Sequence, residues 1–238
     1  MHLTRRKGLM RILRAGRGVL LRWQRVLRKI RLRAIFRKYE EFTMVPKRKA
    51  IANLLLCVER APSSGCIVEC GVWRGGMSAA MADALPGRTH FLFDSFEGLP
   101  PAKEIDGQSA LDWQRNTTSP EYFDNCRAER SFAEKAMRMS AAGKYDLIQG
   151  WFNKTLPGLK LPEPIAVLRL DADLYESTMQ CLNSFYPQVL PEGLIILDDY
   201  FTCDGCSRAI HDYFSQQKLA DRIYQFGGVP YIIKRNSN

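Results

Sequence analysis

Twice in close succession the chain runs through an apolar stretch of strand length and halts at a pair of carboxylates. Ile165-Ala-Val-Leu-Arg-Leu170 breaks off at Asp171 and Asp173, and Gly193-Leu-Ile-Ile-Leu197 breaks off at Asp198 and Asp199. Apolar runs that end abruptly in acids read as central parallel strands, buried on both faces, with their carboxylates at the carboxyl edge. That edge is where open α/β sheets bind their ligands. Two neighbouring strands that deliver acids to one edge make an oxygen-donor site suited to a hard cation. The rest of the sequence is organised around that edge.

Upstream, Cys66-Ile-Val-Glu-Cys70 reads as a short buried strand that enters the turn Gly71-Val-Trp-Arg-Gly-Gly76, and Met77 to Leu85 follow as a helix of small residues. Strand, glycine-rich turn and helix let a nucleotide-like ligand approach the backbone and the helix amino terminus. Gly71, Trp73 and Gly75 are the cofactor-side candidates in this turn. Its spacing is G-x-x-x-G-G rather than G-x-G-x-x-G, which leaves an ordinary tight turn as the alternative. Thr89-His-Phe-Leu-Phe-Asp94 is a second strand ending in an acid that can accept hydrogen bonds from ribose hydroxyls. The competing reading of Asp94-Ser95 is a helix cap.

Residues 97–118 are polar and rich in Pro and Gly without periodicity, which suggests a lid loop. Helices are expected over 47–60, 120–142, 175–189 and around 208–214. Further strands are expected at 145–150, where Gly150 and Trp151 follow, and at 222–226 and 229–234. The pattern is an α/β sandwich of about seven strands forming one domain from residue 39 onward.

Residues 1–38 stand apart, with fourteen Lys and Arg and no acid, whereas the remaining 200 residues carry twenty-one basic and twenty-five acidic side chains. Arg22, Arg25, Arg28 and Arg33 recur at helical spacing among Leu20, Leu21, Trp23, Leu27, Ile30 and Ile35. A basic amphipathic helix of this kind suits an anionic membrane surface, with nucleic acid the less favoured partner and a solvated arm the plain alternative. Seven cysteines in a chain of this length read as reduced thiols, and no run is long and apolar enough to cross a membrane. A cytoplasmic protein, peripheral at the inner membrane face, is the expectation. Homo-oligomerisation stays open.

Taken together, Val68-Glu-Cys-Gly-Val-Trp-Arg-Gly-Gly76, Asp94-Ser-Phe-Glu-Gly-Leu-Pro100, Leu168 to Thr178 and Ile195-Ile-Leu-Asp-Asp-Tyr200 resemble the macrocin O-methyltransferase family. Thr43-Met-Val-Pro46 and Ala209-Ile-His-Asp-Tyr213 also fit, so the likeness spans roughly residues 39–235 and leaves the arm outside. The resemblance implies a class I methyltransferase (Rossmann-like) sandwich with a seven-stranded, mostly parallel sheet. It implies transfer of a methyl group from S-adenosylmethionine to a sugar hydroxyl, with Mg²⁺ as the second cofactor. Glu69 and Gly71 would flank the methionine portion, Asp94 would hold the ribose, and Ser95, Gly150 and Trp151 would lie near ribose and adenine. Asp171, Asp198 and Asp199 would coordinate the metal.

A sugar hydroxyl is a poor nucleophile, and a divalent cation stabilises the negative charge that develops on its oxygen. Asp171 and His211 are the candidate proton acceptors, while Asp173 reads as a cap for the following helix. The acceptor is a glycan or glycosylated small molecule, and the basic arm points to a lipid-linked or envelope glycan. Two other readings compete. Asp171-Ala-Asp173 is the D-x-D pattern of metal-dependent glycosyltransferases, and a methyltransferase-like domain could serve as a non-catalytic binding module.

Overall fold

The computed structural model describes residues 24–235. Seven strands form one sheet in the order β3-β2-β1-β4-β5-β7-β6. They are β1 (Cys66–Cys70), β2 (Thr89–Asp94), β3 (Lys144–Gln149), β4 (Ile165–Leu170), β5 (Val189–Leu197), β6 (Ile223–Phe226) and β7 (Val229–Ile233). β7 runs antiparallel to both β5 and β6, and every other pairing is parallel. β1 and β4 are wholly buried along their length, as their apolar runs require.

Helices cover both faces. On one side lie α1 (24–39), α2 (Lys47–Arg60), α3 (Gly76–Ala84) and α5 (Arg130–Arg138), packed on Ile67, Leu92, Val167 and Ile196. On the other, α7 (Tyr175–Phe185) and α8 (Asp204–Gln216) pack on Val68, Phe93, Leu168 and Leu197. Alternate residues of each strand feed opposite cores, the period-two consequence of the pleat. The chain builds outward from β1 to β3, then returns to β4, so the order reverses between β1 and β4. At that switch point Gly71 has φ +86°, and a Cβ on it would fall 1.7 Å from the carbonyl oxygen of Asp171. No side chain fits there, and the two strand ends therefore meet backbone to backbone.

Several boundaries differ from expectation. Residues 97–118 hold a helix, α4 (Gln108–Arg115), whose half-buried Ala110, Leu111 and Trp113 span only about two turns, too few to reveal a helical period in sequence. It is held by polar contacts: Gln114 bonds to the Ala102 amide and the Pro100 carbonyl. The helix expected over 120–142 shrinks to α5, because Phe123, Asp124, Asn125 and Cys126 all adopt φ between 48° and 60°. A short helix α6 (Phe152–Thr155) follows Trp151.

The arm is not separate along its whole length. Leu32, Ile35 and Phe36 of α1 are buried in the same core as α2 and α3, while Val26, Leu27 and Ile30 remain exposed. Ile35 thus faces the core rather than an outer apolar stripe. Residues 1–23 lie outside the described part of the chain. No helix among the described residues is long and apolar enough to cross a membrane.

Candidate active site

The carboxyl edge of the sheet opens into a cavity of about 660 Å³, lined at its base by Gly71, Trp73, Asp94, Ser95 and Gly150 and at its side by Asp171, Asp173, Asp198 and Asp199. Met44, Val45 and Pro46 from the segment before α2, Leu99 to Pro101, and Trp151 to Lys154 form the outer walls.

Asp94 holds the glycine turn in place. Its Oδ2 accepts the amides of Val72 at 2.6 Å and Trp73 at 2.8 Å, and its Oδ1 accepts the amide of Phe96 at 2.6 Å. Burial still leaves its pKa above the ordinary aspartate value, against the pull of those three N–H groups. Each carboxylate oxygen accepts more than one hydrogen bond, so capacity remains toward the cavity. Ser95 donates to the Gly98 carbonyl and accepts the Glu97 amide, which folds the next loop over the site. The Trp73 indole N–H is buried without an acceptor, a donor left for a ligand.

Behind the acidic edge lies a fully buried cation, Arg169, in register with Glu69 across β1 and β4. Its Nη1 binds Glu69 and, at 2.8 Å, Asp171 Oδ2. Its Nη2 forms a buried ion pair with Asp198 Oδ1 at 3.0 Å. Lys49 of α2 reaches in from the side, with Nζ 2.8 Å from Asp198 Oδ2 and 2.7 Å from its backbone carbonyl.

Five carboxylates, Glu69, Asp171, Asp173, Asp198 and Asp199, therefore face two cations. The imbalance appears in their acidities. Burial raises Asp198, but Arg169 and Lys49 outweigh it and hold the acid below its usual value. Burial and the neighbouring acids push Asp199 well above its usual value, and Asp171 is raised by burial and Asp198 despite Arg169.

Two groups at this edge bring ligand atoms within 4.8 Å of one another: Asp171, Asp198 and Asp199, and Asp173, Asp199 and Cys203. The first offers oxygen donors only, in a cluster with more carboxylates than cations, so its chemistry fits Mg²⁺. The second includes a thiol that burial keeps protonated, so it is the poorer set for a hard cation.

Three candidates from the sequence lie off the cavity. Glu69 is sealed between Arg169 and Ser78, because the buried guanidinium needs a counter-charge. Gly75 caps α3 and abuts Ala133. His211 sits exposed on α8, its Nε2 3.0 Å from the Tyr200 hydroxyl. Asp173 does not cap α7 either: the Tyr175 amide donates to Asp106 Oδ1 at 2.7 Å. The sequence reading passed over Lys49. Its only signal was a lysine three residues after Pro46, indistinguishable there from the surface cations beside it.

A seven-stranded sheet with one antiparallel strand, a glycine turn after β1 and an acid after β2 defines a class I S-adenosylmethionine-dependent methyltransferase. The sequence model of the macrocin O-methyltransferase (TylF) family matches residues 10–231, and the chain belongs to that family. It is 34% identical over 192 residues to a tetracenomycin rhamnosyl 4'-O-methyltransferase of Streptomyces olivaceus, covering 76% of this chain and 70% of the relative. It is 33% identical over 189 residues to mycinamicin III 3''-O-methyltransferase of Micromonospora griseorubida, covering 74% and 72%. Among solved structures, the O-methyltransferase NovP aligns with a TM-score of 0.66 at 31% identity, covering 82% of this chain and 83% of that one. The chain is thus an O-methyltransferase, and the glycosyltransferase and non-catalytic readings fall away. The match from residue 10 also extends the likeness into the arm.

Proposed function

We propose that the chain transfers a methyl group from S-adenosylmethionine to a hydroxyl of a glycoside in a Mg²⁺-dependent reaction. The observation that carries this reading is the set of Asp171, Asp198 and Asp199 on the wall of the cavity whose base is the Gly71 turn. The relatives are named for methylation of sugars on antibiotics, which supports a glycoside acceptor.

In this reading the Gly71–Trp73 backbone, Asp94 and Ser95 receive the ribose and amino-acid portions of the cofactor, and Gly150 and Trp151 flank its adenine. Asp171, Asp198 and Asp199 would hold the metal, which when bound supplies a Lewis acid toward the acceptor hydroxyl. Asp173 is the proton acceptor that the geometry favours. It lines the cavity, makes no ion pair among the described residues, and meets only the Cys203 thiol at 3.6 Å and its own backbone's partners. Asp171 by contrast is held by Arg169. Positioning of the sulfonium carbon against the hydroxyl supplies much of the remaining acceleration.

Calorimetric titration of S-adenosylmethionine and, separately, of Mg²⁺ tests the two halves without an acceptor. Cofactor binding lost in Asp94→Ala, and Mg²⁺ binding lost in Asp199→Asn, are the expected results. Mg²⁺ binding unchanged in Asp199→Asn would overturn the metal assignment.

A further inference from the structure

α1 is a helix with two apolar sides, and the fold uses only one of them. Leu32, Ile35 and Phe36 enter the core. Val26, Ile30, Arg33 and Arg37 recur at intervals of four, three and four and so share the opposite side, where Leu27 and Ala34 flank them. There Val26 is 44% exposed, Ile30 55% and Leu27 61%.

The basic residues divide in the same way. Arg28 pairs with Glu59, Lys38 with Asp83, and Arg31 donates to the Asp83 carbonyl, all toward the domain. Arg33 and Arg37, on the outward side, make no ion pair among the described residues. The sequence before residue 24 continues the composition, with seven further Lys and Arg, no acid, and Leu20, Leu21 and Trp23 immediately preceding.

We propose that this outward side of α1 docks on an anionic lipid surface. Exposed aliphatic side chains among unpaired cations match the two features of such a surface: an apolar layer reached through anionic headgroups. A second copy of this chain seated on the same side would oppose Arg33 and Arg37 to their own like charges. Nucleic acid would satisfy the charge and leave Leu27 and Ile30 in water.

The position on the fold has a consequence for the acceptor. α1 meets α2 at Glu59, whereas Lys49 near the other end of α2 touches Asp198 at the cavity. Ten helical residues separate those contacts, about 15 Å. The Arg28 end of α1 therefore lies away from the cavity, and an envelope glycan would have to extend to it.

Vesicle co-sedimentation of the full chain tests this, with phosphatidylcholine alone and with roughly one-third phosphatidylglycerol added. Retention on the anionic vesicles, loss at high salt, and about tenfold weaker binding of Leu27→Asp/Ile30→Asp are expected. S-adenosylmethionine binding by that variant should match wild type, which shows that it is folded. Failure to sediment with anionic vesicles, unchanged binding by the variant, or a dimer in light scattering that the variant converts to monomer would each overturn the proposal. The outcome leaves the methyltransferase reading untouched.

Discussion

The ammonium of Lys49 lies between two oxygens of Asp198, 2.8 Å from the carboxylate and 2.7 Å from the backbone carbonyl. One side chain thus ties the start of α2 to the acidic end of β5 and supplies half of the positive charge at this edge. Lys49→Met should lower stability by about 2–3 kcal/mol, the scale of a charged hydrogen bond in a partly buried pair. If the site binds Mg²⁺, the added ion replaces part of the missing charge. Melting curves should then show a larger loss in EDTA than in excess Mg²⁺. Equal losses in both would separate Lys49 from the metal site.

Asp199 is an acid that makes no ion pair among the described residues, and Asp173, Asp171 and Asp198 crowd it. Asp199→Asn removes one repelling charge and one ligand together. The variant should melt a few degrees higher than wild type in EDTA, by about 1 kcal/mol. It should gain nothing from Mg²⁺, and its turnover should fall by about two orders of magnitude or more. A variant that is destabilised in EDTA would contradict the charge accounting.

His90 opens β2 wholly buried, and neither ring nitrogen has a partner. Burial, with Arg88 nearby, pushes its pKa down from 6.5 to about 3. The folded state therefore refuses a proton that the unfolded chain accepts between those values. This contribution is constant above pH 6.5 and lost progressively below it, by about 1.4 kcal/mol per unit or about 2 kcal/mol at pH 5. His90→Phe should flatten that part of the stability–pH curve, as read from urea unfolding at pH 7 and pH 5. Parallel curves for the two proteins would show that His90 does not titrate as described.

The burial of Leu32, Ile35 and Phe36 sets where the chain can be cut. A chain beginning at residue 24 should fold and bind S-adenosylmethionine. One beginning at residue 39 loses those three side chains from the core, each worth about 2–5 kcal/mol, and should lack a cooperative melting transition. A cooperative transition in the shorter chain would place the domain boundary at Tyr39.

The sheet and its edge were legible because strands such as Ile165–Leu170 advertise both their burial and their stopping point. The glycine turn was legible because Gly71 has to be glycine, whatever else surrounds it. Three things were hidden. Glu69 has the sequence environment of a ligand contact, yet the partner that claims it, Arg169, comes from a strand a hundred residues away. α4 is only eight residues long, too short for its apolar positions to show a period. The split personality of α1 was masked because a helix with apolar residues on both sides looks the same in sequence whichever side the core takes.

The left-handed run at Phe123–Cys126 bears on how the wall of the cavity is held. Each such residue costs about 1–2 kcal/mol, so the segment is held by its contacts rather than by its own preference. Those contacts are few and local: the Asn125 amide nitrogen donates to Leu99, the Leu99 amide to Asn125, and Gln114 to Asn125. They clamp the outer wall of the cavity, and none of them involves Asp171, Asp198 or Asp199. The wall is nonetheless joined to the acidic edge, because Asp106 accepts the Tyr175 amide just after Asp173. A change within residues 98–126 is therefore felt both at the mouth of the cavity and at the first turn of α7, beside the acids.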